Sequence, residues 1–326
     1  MKLGILGTGM IVKDLLSTIH KLPFTSLAIL GTPKTEEETR TLAASYRIED
    51  VFFDYSAMLE SDIDTIYVAL PNHLHFTFAS QALQQGKHVI IEKPITTSID
   101  DLNILKNLAL ERNLIILEAM NIHHLPAFIS LQSQLASIGH IKLVSLNYSQ
   151  YSSRYDEFLT GVIHPAFDSR KGGGALMDIN VYNLHFVVGL FGKPLTVNYL
   201  ANMHNNIDTS GVMLFDYGGF KCICIGAKDC KAPASSFIQG DKGCVNITLP
   251  VNQMMDYGIA LNNGDTSHYS FDRREHRLLY EFQEFIRIID TLDYPAAARL
   301  LAVSSIVAEV IETGNKQKVM GLSYDN

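Results

Sequence analysis

The chain has no excess of basic residues: 26 Lys and Arg stand against 34 Asp and Glu, a formal net charge of −8 with a pI near 5.8. A protein that grips a phosphate backbone needs clustered Lys and Arg to displace counterions, so nucleic acid is not an expected partner. An uninterrupted apolar run is also missing from the start of the chain. Gly4, Gly7 and Gly9 break up the first hydrophobic stretch and Lys13-Asp14 follows it, a pattern that fits neither a signal peptide nor a membrane span. A cytoplasmic location without membrane attachment is the expectation. Cysteine is sparse, with four residues at positions 222, 224, 230 and 244 and no C-x-x-C pair, so reduced thiols packed in or beside strands are expected, and no metal site. There is no internal repeat and no low-complexity tract.

What is present is enough apolar material for real cores, with 47% hydrophobic and 18% charged residues. At 326 residues the chain exceeds the size at which one core usually keeps growing, which predicts two domains. The first third alternates short apolar runs with helical patterns. Strands are expected at residues 2–6, 27–30, 65–70, 88–91 and 115–118. Val12, Leu15, Leu16 and Ile19 lie on one face of a helix between the first two. That alternation predicts a parallel, doubly wound sheet. Beyond about residue 125 the texture changes to long strand-like runs such as "IKLVSLNYSQY", "GVMLFDY" and "GFKCICIGA" separated by Gly, Asn and Asp turns. The expected fold is thus an α/β Rossmann domain at residues 1–122, then an α+β domain at 123–326 with a large, mostly antiparallel open sheet. Helices are expected after "GGGALMD" and over roughly residues 275–290. In "FKCICIGA", Cys222 and Cys224 face one way and Ile223 and Ile225 the other. Both sheet faces are therefore apolar and need covering, which predicts a homo-dimer or higher homo-oligomer.

The stretch "GILGTGMIV" follows the first strand and opens the first helix. In that context Gly7 and Gly9 permit a tight turn and close approach to a pyrophosphate, with Thr8, Met10 and Ile11 beside them and the helix N-terminus under the negative charge. Val12 stands at the third glycine position. An NAD site usually carries an acid at the end of the second strand to hold the ribose 2′-hydroxyl. Here "LGTPKTEEE" follows, with Glu36 as the nearest carboxylate. Thr32 and Lys34 are instead the candidates for a 2′-phosphate, which favours NADP over NAD as cofactor, although Lys34 is equally readable as a solvated loop charge.

Strands of a parallel sheet point their C-terminal ends at the ligand crevice. The run "KHVIIEKPIT" therefore delivers Glu92 and Lys93 to the cofactor, and "ALPNHLH" delivers Leu70, Pro71 and Asn72. Pro94 fixes the chain direction after Lys93, with a cis peptide as one option. The bland alternative for Glu92 and Lys93 is an ordinary strand-end salt bridge.

Together, "GILGTG", "VALPNHLH", "GKHVIIEKP", "EAM" and "GGGALMDINVY" resemble, in order and spacing, the Gfo/Idh/MocA family of oxidoreductases. The resemblance spans essentially the whole chain. It implies a Rossmann domain followed by an open-sheet domain, a bound nicotinamide cofactor, and catalysis near the lysine of "EKP", here Lys93. It also implies that His75 is the loop histidine near the cofactor. Many family members have histidine four residues after the motif aspartate. This chain has Asp178 and Tyr182 there, like the branch of glucose-fructose oxidoreductase and dimeric dihydrodiol dehydrogenase, but it departs from that branch with His123 at an arginine position. Four residues apart, Asp178 and Tyr182 share a helix face. His185 lies on the same face, as a pocket residue or as a satisfied helix histidine. Hydride transfer requires that the substrate oxygen lose or gain a proton. Tyr182 is the expected acid/base, since an ammonium such as Lys93 beside a phenol favours the phenolate. Asp178 joins them as a catalytic candidate, and Glu92 orients or balances Lys93. The expected activity is an NAD(P)-dependent dehydrogenase or reductase acting on a small, carbohydrate-like hydroxyl or carbonyl substrate. The alternatives are a glycosidase working through transient oxidation and a non-catalytic nucleotide-binding regulator.

Overall fold

The computed structural model describes residues 1–272 and 274–321. The chain divides into two compact units, one formed by Met1–Ala119 with His276–Ser305 and the other by Met120–Glu275 with the chain from Ile306 onward.

The first unit holds six parallel strands: β1 (Lys2–Leu6), β2 (Ser26–Leu30), β3 (Asp50–Phe52), β4 (Thr65–Val68), β5 (His88–Glu92) and β6 (Ile116–Ala119), in the order β3-β2-β1-β4-β5-β6. The order reverses beside β1, so the C-terminal ends of β1 and β4 flank a switch point where open α/β sheets bind ligands. The strands read as apolar runs because helices cover both faces. Strand β3 was not expected, being a three-residue edge strand with Asp50 exposed.

The first helix runs Met10–Thr18 and buries Val12, Leu15 and Leu16. The expected helix near 275–290 is Arg277–Asp290, but it belongs to the first unit rather than to a domain running from 123 to 326. Its Leu278, Leu279, Phe282, Phe285, Ile286 and Ile289 form an apolar stripe that joins Leu3, Val12, Leu15 and Tyr67 in one core. Phe282 meets Tyr67 edge-on, with ring centroids 5.2 Å apart.

The second unit is built on β7 (Ile141–Ser149), β8 (Thr196–His204), β9 (Ile207–Asp216), β10 (Lys221–Ala227), β11 (Ser236–Gly240), β12 (Gly243–Ile247), β13 (Asp256–Leu261) and β14 (Thr266–Ser270). Their order is β14-β13-β12-β11-β7-β10-β9-β8, antiparallel throughout except where β10 lies parallel to β7. Register sets Tyr199, Met213, Cys224 and Leu146 in one row across the sheet, and all are buried. The opposite face carries Leu143, Leu200 and Leu214, which are exposed, with Val212, Ile223 and Ile225 half-buried between them. All four cysteines are free thiols; Cys222 and Cys224 are buried and Cys230 is exposed.

A long helix, Tyr294–Gly321, crosses the unit boundary at Ser305 and was not foreseen. Two helical stretches, Ser169–Phe191 and Tyr294–Lys318, are long and apolar enough to cross a membrane by length and composition; the first is 72% buried, as a core helix is.

Candidate functional site

In the first unit, the turn after β1 is shaped for close approach. Gly7 has φ +103°, and a Cβ there would stand 2.9 Å from the Ala69 carbonyl oxygen at the end of β4, so a side chain is excluded twice over. Nothing lies within 4 Å of a Cβ built on Gly9. Gly9 caps the helix Met10–Thr18 without a side-chain hydrogen bond, and the first turn holds no acidic residue. The glycine therefore leaves room beside the first turn of the helix, whose N-terminal N–H groups lack intrahelical partners, and this suits a pyrophosphate. Met10 is exposed and Ile11 half-buried.

The acid missing from the end of β2 has a partial substitute that the linear reading passed over. Glu38, on the helix Glu36–Tyr46, reaches back to accept from the Thr8 hydroxyl at 2.7 Å and from Lys13 Nζ at 2.6 Å. The Lys13 bond, then the Thr8 bond, hold its carboxyl below the usual glutamate range. The run of three glutamates was the visible signal, but which of them reaches the glycine turn depends on helix placement. Thr32 and Lys34 are exposed at the start of the next turn. There Thr32 and Thr35 cap each other reciprocally, which fixes the loop.

The strand-end motif divides its labour by the alternation of a strand. Glu92 turns inward, is 9% exposed, and accepts a hydrogen bond from the buried Tyr67 hydroxyl. Burial pushes its carboxyl up, against the pull of Tyr67 and then Lys93. Lys93 is half-buried. Glu92, expected at the cofactor, is thus buried at the strand end. The Lys93-Pro94 bond is cis. The next residues are held from two sides. Glu118 of β6 accepts from the Ile95 N–H at 2.9 Å, and His75 Nδ1 lies 2.9 Å from the Pro94 carbonyl while its Nε2 lies 2.8 Å from that of Leu70. His75 is fully buried, and burial lowers its pKa although the carbonyl contacts oppose this. His75, the expected cofactor histidine, bridges the two strand-end loops. Leu70 and Asn72 are half-buried and Pro71 exposed.

In the second unit, the "GGGALMD" helix begins with a π-helical turn, Leu176–Asn180, and continues as the α-helix Val181–Phe191. A π-turn is frequent at functional sites and is not encoded by apolar periodicity. The helix start is fixed by the buried Asp208, which accepts from the Leu176 N–H at 2.7 Å, from Tyr199 at 2.8 Å and from Lys318 at 2.6 Å. Gly174, at φ +108°, is required there, since a Cβ would lie 2.1 Å from Asp208 Oδ1. Asn180 and Asn183 donate to the Cys224 and Ile225 carbonyls of β10. With the helix locked, every residue from Gly172 to Val188 is buried except Asp178 and Tyr182. Tyr182 packs beside Tyr148, Ala175 and Ile179, its ring 5.9 Å from that of Tyr148.

His185 is fully buried, its Nδ1 3.1 Å from His123 Nε2. Burial, then His185 and His124, drive the His123 pKa well below the usual histidine value. The departure at His123 thus forms a buried contact between two imidazoles inside the unit.

These features define a two-unit protein with a dinucleotide-type turn and a second unit that presents one carboxylate and one phenol. Residues 1–120 match the model of the Gfo/Idh/MocA oxidoreductase family, described as an NAD-binding Rossmann fold. The chain is 29% identical to scyllo-inositol 2-dehydrogenase (NADP(+)) IolU of Bacillus subtilis, over 99% of this chain and 98% of that protein. It is 26% identical to trans-1,2-dihydrobenzene-1,2-diol dehydrogenase of Xenopus laevis, over 76% of this chain and 74% of that one. The solved structure of a levoglucosan dehydrogenase in complex with NADH and levoglucosan shares the fold, with a TM-score of 0.84, 15% identity and coverage of 98% and 97%.

Proposed function

We propose that this chain is an NAD(P)-dependent oxidoreductase that moves a hydride between nicotinamide and a CH–OH or C=O carbon of a cyclitol or sugar. The observation that carries the reading is that Asp178 and Tyr182 alone interrupt the burial of residues 172–188. A folding role alone gives no reason to expose a carboxylate and a phenol one turn apart while burying their neighbours. The named activities of the relatives, on scyllo-inositol, a dihydrodiol and levoglucosan, support the substrate class.

The uncapped, open turn at Gly7–Ile11 suits the pyrophosphate, and a bound nicotinamide would accept or give the hydride. The chain's own residues carry the proton and the orientation. Lys93 donates a hydrogen bond to the reacting oxygen and polarises it. Tyr182 takes the hydroxyl proton in oxidation and returns it in reduction, because the oxygen cannot become a carbonyl while protonated. Asp178 accepts from a second substrate hydroxyl.

The test follows coenzyme reduction with NADP+ and a panel of cyclitols and aldoses that includes scyllo-inositol. Tyr182→Phe should keep coenzyme affinity and lower turnover about a hundredfold or more, and Lys93→Ala should lower turnover by a similar factor. Members of one acid/base unit are non-additive, so the double variant should be hardly worse than either single one. Parental turnover in Tyr182→Phe would show that the proton goes elsewhere.

A further inference from the structure

A buried ammonium stands directly behind Asp178. Lys228 follows β10, and its side chain is 4% exposed, against 37% for that of Asp178. Its Nζ donates to Asp178 Oδ2 at 2.7 Å and to the Ala166 carbonyl at 2.6 Å, and lies 4.2 Å from the centre of the Phe167 ring. The backbone is held on both sides: the Lys228 N–H donates to the Thr209 carbonyl at 2.8 Å, and the Lys228 carbonyl accepts from Ser152 N–H at 2.9 Å. Phe167 is itself fixed, stacked on Phe158 with centroids 4.8 Å apart. An ammonium is seldom buried unless it is paired and hydrogen-bonded. Here the carbonyl and the aromatic face receive it, and the partner of opposite charge is the one carboxylate of the helix that reaches the surface.

We infer that Lys228 is a positioning residue for the reaction. It holds Asp178 as a carboxylate, anchored through Oδ2, so that its exposed portion presents a fixed acceptor to a hydroxyl of the polyol substrate. Lys228 need not touch substrate. It sets the direction and the charge of the group that does, and so favours substrates that carry a hydroxyl at that point over their deoxy analogues. A carboxylate clamped from behind discriminates well, because without a donor its desolvation goes uncompensated. The inference rests on the proposed role of Asp178, and nothing in the sequence reading pointed to Lys228, which lies 50 residues from its partner.

The experiment uses the full chain, NADP+ and whichever cyclitol or aldose of the panel the parent oxidises fastest, together with the deoxy analogues of that compound. Lys228→Met keeps length and apolar stem but removes the charge. It should leave NADPH fluorescence titration unchanged, lower kcat/KM about tenfold to a hundredfold mainly through KM, and narrow the preference over a deoxy analogue. Asp178→Asn should do the same, and the double variant should match the worse single variant within about twofold. Lys228→Arg, which keeps the cation, should recover part of the loss. If Asp178→Asn is impaired but Lys228→Met keeps parental kcat/KM and selectivity, the inference fails while the site reading stands. Losses that multiply in the double variant also overturn it, since the two residues then act separately. If Asp178→Asn is as active as the parent, or the parent oxidises none of the panel, the site reading fails and this inference fails with it.

Discussion

Glu281 lies on the inner face of the helix Arg277–Asp290. It is 1% exposed, and neither carboxyl oxygen has a hydrogen-bond partner. Burial, followed by repulsion from Glu92 and a smaller contribution from Glu118, raises its pKa well above 4.5, with only Arg277 opposing. The folded protein therefore keeps a proton on Glu281 that the unfolded chain releases above about pH 4.5. Below that pH both states hold the proton, and its contribution to stability is fully present. As pH rises, unfolding releases a proton, and the contribution is lost at up to about 1.4 kcal/mol per pH unit until the folded pKa is passed. Between pH 5.5 and 7.5 the loss amounts to about 2–3 kcal/mol for as long as the folded state retains the proton. Glu281→Met keeps the volume and removes the titration. Urea unfolding at pH 5.5, 6.5 and 7.5, with m unchanged, should show the variant gaining on the parent with each step. Some fall with pH should remain, because burial also raises Glu92. Parallel pH profiles for parent and variant would refute the argument and place the proton elsewhere.

Two further predictions concern the coenzyme and the assembly. With Glu38 engaged by Thr8 and Lys13 and Thr32 and Lys34 exposed, NADPH should bind more tightly than NADH, and Lys34→Glu should flatten or reverse the preference in a fluorescence titration. Equal affinities, unaltered by the substitution, would remove Thr32 and Lys34 from the site. The open sheet face with Leu143, Leu200 and Leu214 exposed should be covered by a second copy of the chain. Light scattering at micromolar concentration should then report a dimer or larger, and Leu200→Glu with Leu214→Glu should shift it toward monomer. A strictly monomeric parent would count against the pairing.

The first sheet was legible because a parallel strand buried on both faces leaves an unbroken apolar run between turn residues. Strand β3 left no such trace, since three residues with one exposed and two half-buried carry no core signal. The helix Arg277–Asp290 was legible as a helix but not as a member of the first unit. An apolar stripe states that something must cover it, and not what does. Similar limits applied at the site. Asp178 and Tyr182 were visible through the family resemblance, whereas the π-turn that carries Asp178 was not. His75 and His185 were visible as imidazoles. Their burial against backbone carbonyls in one case and against His123 in the other depends on neighbours that the local sequence does not contain. Lys228 and Glu38 were missed for the same reason.

The order of the letters in "EKP" has a physical explanation. Consecutive strand residues point to opposite sides, so one residue of the pair had to enter the packed side of the sheet end. The chain places there a carboxyl that Tyr67 hydrogen-bonds, and the next residue, Lys93, turns the other way. Glu118 and His75 then hold the two ends of the Pro94–Ile95 peptide group. Three titratable side chains, Glu92, His75 and Glu118, thus hydrogen-bond around the path of the chain beside one lysine. The second unit repeats the logic with Asp208, Asn180 and Asn183 anchoring a segment, residues 172–188, in which only Asp178 and Tyr182 are not buried. A working geometry must be held to a fraction of an ångström by groups whose own positions are locked. Polar residues therefore outnumber working ones in such motifs, and burial separates the two kinds where residue type cannot.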